Sequence, residues 1–143
     1  EKILEFPEFE ELIKIYYGRW EDMLKDEIVE TVNILKKLVK SKNYKVLALT
    51  NWSHETFPIA IKKFDFLNLF EDIVVSGEIK MIKPDLEIYD YIIKKHSIIP
   101  EDAIFIDDNS SNVFGAQKAK INAIHYKNSK QMVEELKKYG IRI

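Results

Sequence analysis

Three places in this 143-residue chain carry side chains that could do chemistry, and each follows a short apolar run. After "VLAL" (46–49) come Thr50, Asn51 and Ser53. After "IVV" (73–75) come Ser76 and Gly77, then Lys83 ahead of Pro84. After "AIFI" (103–106) come the adjacent acids Asp107 and Asp108, with Asn112 a turn later. Two neighbouring carboxylates at the end of a core segment repel each other and are poorly solvated. They need a divalent ion, a cationic side chain or open water beside them. A hydroxyl, a lysine and a carboxylate pair on one rim could together hold a phosphate next to Mg²⁺. The hydroxyl and backbone N–H groups would bond phosphoryl oxygens, the lysine would neutralise their charge, and the carboxylates would supply the hard oxygen ligands that Mg²⁺ prefers.

Each residue also has a plainer reading. Thr50 can simply end a strand, and Asn51 and Ser53 can cap a following helix. Lys83 precedes a proline, which favours extended backbone and a solvent-facing side chain. Asn112 can open its own helix. The weight rests on the shared rim and the order of the residues. On that geometry, Lys83 should reach toward the acids and lower their pKa values.

A rim needs a scaffold. The runs 45–50, 72–76, 103–107 and 122–126 are short, and mostly apolar without alternation. That is the pattern of strands covered on both faces in a parallel sheet. Between them the apolar period is helical. Residues 27–40 align Ile28, Val32, Leu35 and Val39, with Asp26 as N-cap; residues 86–95 align Leu86, Tyr89, Ile92 and Ile93. Residues 112–120 carry Val113, Ala116 and Ala119, and residues 131–139 carry Met132, Leu136 and Tyr139, with Gly140 as the C-cap. Pro58 delays the helix that follows Ser53. The alternation predicts an α/β fold: a doubly wound, Rossmann-like parallel sheet with helices on both faces and a ligand site beyond the carboxyl ends of its strands. Residues 1–24 are different, rich in Phe, Tyr and Trp and helical with no preceding strand. Tyr16, Tyr17 and Trp20 read either as the core of a small helical unit, which we expect, or as an exposed contact patch.

Composition narrows the classes further. Hydrophobic residues make up 46% and charged residues 32%, a balance that suits one globular domain. A net charge of −2 argues against a nucleic-acid surface. The Lys36–Lys37, Lys62–Lys63 and Lys94–Lys95 pairs read as solvated helix faces. No apolar run approaches the ~20 residues needed to span a bilayer, so no membrane partner is expected. The absence of Cys fits a reducing, cytoplasmic compartment. His54, His96 and His125 are scattered without metal-ligand spacing.

Taken with their order, "ALTNWSHETF" (48–57), "IKMIKPDLEIYDYII" (79–93) and "IFIDDNSSNVFGA" (104–116) resemble the second, third and fourth motifs of the haloacid dehalogenase-like hydrolases, in the branch with a helical cap. The resemblance covers roughly residues 20–128. It implies that Thr50 binds phosphate, with Asn51 beside it in the substrate site, and that Lys83 is the catalytic lysine. It implies Asp107 and Asp108 as Mg²⁺ ligands and Asn112 as their supporting polar residue. It also implies that residues 1–24 are the end of the cap and its return to the core, with 25–143 the α/β core. The family's first motif, an Asp-x-Asp on a strand ahead of the cap, supplies the nucleophile and the general acid/base. No Asp-x-Asp follows an apolar strand in this chain.

The expectation is therefore a Mg²⁺-dependent phosphatase of small phosphorylated metabolites in its complete form. The present chain would be an inactive fragment lacking its first strand. A sheet without that strand should leave a slot beside 45–50 or 103–107, to be filled by a missing N-terminal segment or a second chain. The nearest alternative is a 2-haloacid dehalogenase on the same fold, which needs no metal. Its fourth motif generally has serines where this chain has two acids, and the acids would repel a carboxylate substrate. A receiver domain would place the acid pair first and the lysine last. A non-catalytic binding protein of the same fold is the remaining reading.

Overall fold

In a computed structural model, which describes residues 2–143, the chain is a mixed α/β domain. Its helices are α1 (Lys2–Glu5), α2 (Glu10–Gly18), α3 (Val29–Ser41), α4 (Phe57–Lys63), α5 (Ser76–Ile79), α6 (Leu86–His96), α7 (Ser110–Lys118) and α8 (Ser129–Lys138). Its strands are β1 (Leu47–Thr50), β2 (Asp72–Val75), β3 (Ile104–Asp107) and β4 (Asn122–His125).

Local chemistry explains most helix ends. Asn109 caps α7 by accepting a hydrogen bond from the Ser111 N–H at 2.9 Å, and Asn128 caps α8 through the Gln131 N–H at 2.9 Å. Thus Asn112 does not open its helix; it lies inside it and is buried. At the end of α8, Gly140 takes a left-handed φ of 79°. The Gly140 N–H bonds the Lys137 carbonyl at 2.9 Å and the Ile141 N–H bonds the Leu136 carbonyl at 3.1 Å, which closes the helix as a Schellman motif. Asp26 does not cap α3. The helix begins later, with Ile28 in extended backbone at the capping position and no side-chain bond. Pro58 sits in the first turn of α4, where a missing N–H costs little. Ile28, Leu86 and Tyr139 fall at or beyond helix ends and are exposed, because the helical period no longer dictates direction there. Ile34 and Ile88 take buried places instead.

The strands pair as two separate parallel ladders. β1 runs beside β2 with Thr50 opposite Val75, and β3 beside β4 with Asp107 opposite His125. Among the described residues no ladder joins β1 to β3. Helices cover both faces. Ile88, Tyr89 and Ala116 of α6 and α7 pack with Leu49, Phe105 and Ala123 on one face. Ile34 of α3 and Met132 and Leu136 of α8 pack with Ile104, Ile106 and Ile124 on the other. Phe57 and Ala60 of α4 cover Ile73 and Val75. Helices thus cover both faces, as the apolar runs predict, yet every residue of β1 and β3 is only half-buried. Among the described residues each of these two strands has a neighbour on one side only, so its backbone and side chains stay open on the other.

The segment before residue 25 is helical with two 3₁₀ turns, Pro7–Phe9 and Trp20–Met23. Tyr16 and Tyr17 are exposed rather than forming a core, and the Trp20 ring meets the Tyr16 ring at 5.0 Å between centroids. Two polar ties reach the rest of the chain. The Tyr17 hydroxyl donates to Glu55 at 2.7 Å, and the Lys63 ammonium donates to the Glu21 and Leu24 carbonyls at 3.3 and 2.9 Å.

Candidate functional site

Lys83 is the centre of the site, and it is buried rather than solvent-facing. Its Nζ donates to Asp107 Oδ2 at 2.7 Å and to the Leu49 carbonyl at 2.7 Å, and it lies 5.4 Å from the centre of the Phe105 ring. One ammonium therefore bridges the β1–β2 and β3–β4 ladders at their carboxyl ends. Both members of the ion pair are closed off, with side chains 8% exposed. Removing either partner of such a buried pair strands the other charge.

Asp107 is satisfied on both oxygens. Oδ1 accepts the Asn109 N–H at 2.8 Å and Asn112 Nδ2 at 3.1 Å, while Oδ2 accepts Lys83 and, at 3.2 Å, Asn112 Nδ2. Burial pushes its carboxyl up. The Lys83 hydrogen bond, the Asn109 N–H, the Lys83 charge and Asn112 together outweigh burial and hold it below the usual carboxylate range. Asp108 is exposed, and among the described residues none donates to its carboxylate. Its carbonyl accepts His125 Nε2 at 2.9 Å.

Behind the acids stands Tyr89, which is fully buried. Its hydroxyl donates to the Asn112 carbonyl at 2.7 Å, and its ring meets Phe105 edge-on at 5.5 Å. Burial, then the charges of Asp107 and Asp85, push this phenol up to about 12. The contact depends on Gly115, where a Cβ would lie 2.6 Å from the Pro84 carbonyl oxygen and 2.8 Å from the Tyr89 ring. Tyr89 reads from sequence as core alone. The available signal is that a buried phenol needs a partner for its hydroxyl.

Thr50 ends β1 half-buried, and its hydroxyl takes no hydrogen bond among the described residues. Asn51 does not cap a helix. Its Oδ1 accepts the Lys83 N–H and its Nδ2 donates to the Lys83 carbonyl, each at 2.9 Å. The next residue, Trp52, is tied to β2's end. The Trp52 N–H donates to Ser76 Oγ at 3.0 Å and the Gly77 N–H donates to the Trp52 carbonyl at 3.0 Å. Gly77 permits that approach, because a Cβ there would lie 2.6 Å from the His54 nitrogen. The structure thus draws Thr50, Asn51, Lys83, Asp107 and Asn112 into one connected neighbourhood, with Asp108 on its solvent side. His96 lies apart, its Nε2 on Asp72 at 2.8 Å.

The donor set suits a hard cation in part. Asp107 and Asp108 are adjacent in sequence, the first carboxylate buried and hydrogen-bonded, the second open to solvent. Among the described residues no group of three or more His, Asp or Glu side chains converges as a metal centre. Mg²⁺ is commonly held by one or two protein carboxylates, with water and substrate phosphate completing its shell. Asp108 is the carboxylate left open for such an ion, and Asp107 could join it by exchanging one of its present hydrogen bonds.

With this geometry in hand, comparisons with known proteins converge. A family model described as haloacid dehalogenase-like hydrolase matches residues 2–126. The chain is 28% identical over 89 residues to a phosphorylated carbohydrates phosphatase of Thermotoga maritima, covering 62% of this chain and 41% of that protein. It is 26% identical over 95 residues to (S)-2-haloacid dehalogenase 4A of Burkholderia cepacia, covering 66% of this chain and 41% of that protein. Among solved structures, a HAD family enzyme of Bacteroides thetaiotaomicron in complex with magnesium and inorganic phosphate superposes with a TM-score of 0.70 at 28% identity. That match covers 80% of this chain and 60% of the neighbour. The chain spans about two fifths of the length of these two curated relatives.

Proposed function

The chain belongs to the haloacid dehalogenase-like hydrolases, and from that premise we propose that it is the phosphate-binding and metal-binding half of a Mg²⁺-dependent phosphatase acting on small phosphorylated metabolites. The observation that carries this reading is the buried Lys83–Asp107 pair at 2.7 Å, with the open Asp108 carboxylate beside it. A buried ion pair locked between two strand ends, with one open carboxylate at Asp108 beside it, makes a surface of graded charge. It suits a tetrahedral dianion bound through a cation. In this reading residues 25–143 are the α/β core and residues 1–24 belong to a helical cap.

Thr50 donates its free hydroxyl to a phosphoryl oxygen at the end of β1. Lys83 holds positive charge within reach of the same oxygens while keeping Asp107 ionised and oriented. Asn112, fixed by Tyr89, locks the Asp107 carboxylate plane. Asp107 and Asp108 would hold Mg²⁺, which when bound would neutralise phosphoryl charge. A nucleophilic carboxylate is not among these residues. We assign it to an Asp on a strand that enters between β1 and β3, supplied by an upstream segment of the complete protein or by a second chain. That Asp would attack phosphorus and break the bond to the alkoxide, which would take its proton from the second acid of the same motif, and water would then cleave the aspartyl-phosphate.

A 2-haloacid dehalogenase shares the fold, and one such enzyme is among the relatives. The adjacent acids weigh against it, because they would repel both the substrate carboxylate and the departing halide. The test is turnover by the complete protein on a generic aryl phosphate, with excess Mg²⁺ and then with chelator. Hydrolysis that collapses on chelation is expected. Equal rates in both conditions would refute the metallophosphatase reading, and metal-independent halide release from a 2-haloacid would establish the other. The 143-residue chain alone should turn over neither substrate.

A further inference from the structure

We infer that Asn51 is a positioning residue for Lys83 rather than a substrate ligand. Lys83 sits in the loop between α5 and α6, a segment without regular backbone pairing of its own. Something outside that loop must hold its peptide groups if the ammonium is to stay between Leu49 and Asp107. The Asn51 carboxamide does so from 32 residues away, accepting the Lys83 N–H on Oδ1 and donating Nδ2 to the Lys83 carbonyl, both at 2.9 Å. The orientation of the amide is unambiguous. Exchanging its oxygen and nitrogen would set donor against donor and acceptor against acceptor at once.

This clamp fixes both polar groups of one residue with one side chain, as a paired strand would. It also couples the two ends of the lysine. The Lys83 backbone is bonded to the residue after Thr50, while its Nζ is bonded to the carbonyl of the residue before Thr50. Lys83 is thus wrapped around the end of β1 and then extended to Asp107. Asn51 is itself held, since Trp52 is tied to Ser76 and Gly77 at the end of β2. With Oδ1 and one Nδ2 hydrogen committed to backbone, Asn51 has little left for a ligand. The inference rests on the phosphatase reading only in naming Lys83 the catalytic lysine; the clamp itself is a property of this chain.

The test therefore uses the 143-residue chain and no turnover. Native, Asn51→Ala and Asn51→Ser proteins are compared by NMR, following backbone amide exchange and the Lys83 ammonium signal. In the native chain the Lys83 N–H should be protected, and its ammonium, held by three partners, should give a sharp, slowly exchanging signal. In both variants the Lys83 amide should exchange roughly tenfold faster or more, and the ammonium signal should broaden into the solvent-exposed lysines. The β3–β4 amides should keep their native rates. Asn51→Asp, which retains an oxygen facing the Lys83 N–H but opposes its carbonyl, should protect the amide yet still loosen the ammonium. Native-like Lys83 signals in both truncations would overturn the proposal. So would a collapse of protection across β3 and β4, which would make Asn51 a general structural residue. A shift of the Asn51 side-chain NH₂ with added inorganic phosphate, with Lys83 unmoved by truncation, would return Asn51 to substrate binding.

Discussion

Two regions of this molecule invert the usual rule of apolar inside and charged outside, and they do so in opposite ways. At the seam between the ladders, Lys83 and Asp107 are charged and buried. In the N-terminal segment, Leu4, Leu12 and Ile15 are apolar and more than half exposed. In the seam every polar atom of the pair has a partner: three donors make four hydrogen bonds to Asp107, and two oxygens and a ring serve Lys83. In the N-terminal segment Phe6, Phe9, Leu12, Ile13, Tyr16 and Tyr17 line an open concavity of about 520 Å³, and among the described residues its polar ties to the core run through Tyr17, Glu21 and Leu24. The comparison separates a site from a surface. Buried charge persists only where the surrounding chain is organised to satisfy it, so its presence points to construction around a task. Exposed apolar side chains ask nothing of their neighbours.

Substitutions should therefore be costly in the seam and cheap in the segment. The largest effect is expected from Lys83→Met, which leaves Asp107 buried and unpaired. Loss of one partner of a buried pair costs about 3–5 kcal/mol, read from urea denaturation. Adding Asp107→Asn to that background should recover part of the loss, and the double-mutant cycle would then measure the coupling. Additive losses in the cycle would mean that the two residues do not act as a pair.

Next comes Gly115→Ala. Its Cβ would press on the Pro84 backbone at 2.6 Å as well as on Tyr89. Overpacking of this kind costs about 1–3 kcal/mol. A crystal structure or NMR spectrum of the variant should show Tyr89 displaced and Asn112 moved with it.

Tyr89→Phe should be milder and pH-dependent. Losing its hydrogen bond costs about 1 kcal/mol near neutrality. The native phenol is raised to about 12, above its unfolded value. The folded state therefore keeps its proton where the unfolded state has released it. The stability this provides is complete below the unfolded value near pH ~10 and is lost as pH rises through about 12. The gap between native and variant should stay constant to pH ~10 and then shrink. Asp107 has the opposite sign: its carboxyl is depressed, so its contribution is present above the ordinary carboxylate range and fades as pH falls through the folded value. Asp107→Asn should flatten the acid limb.

The smallest effect belongs to the other region. Leu12→Ser, on the exposed side of α2, should change the stability of this chain by no more than about 0.5 kcal/mol. A loss comparable to that of Gly115→Ala would show that the segment packs as a core, and the contrast between the two regions would fail.

What the sequence revealed of these regions follows from the range of the forces involved. All four strands and the helices α3, α6, α7 and α8 were legible within a few residues, because the period of apolar side chains is local. Helix ends were less so: Asp26 is a good capping type, yet α3 starts at Val29 with Ile28 before it. The split into two ladders was foreshadowed by the missing strand, while the half-burial of β1 and β3 was not, since an apolar run does not record what lies beside it. Within the site, the acid pair and Lys83 could be singled out by type and order. The burial of Lys83, the Asn51 clamp and the Tyr89 support could not, because each joins residues 23 to 34 positions apart through geometry that no local pattern encodes.

That the seam is a phosphoryl and metal half-site can be tested on the chain directly. Mg²⁺ is titrated into ¹³C,¹⁵N-labelled protein, alone and with inorganic phosphate, while the carboxyl carbons of all Asp and Glu residues and the backbone amides are followed by NMR. Weak, saturable shifts are expected at Asp108 and Asp107, joined in the presence of phosphate by Thr50 and Lys83, and abolished by Asp108→Asn. Shifts spread over surface carboxylates, with Asp107, Asp108 and Thr50 unmoved, would contradict it.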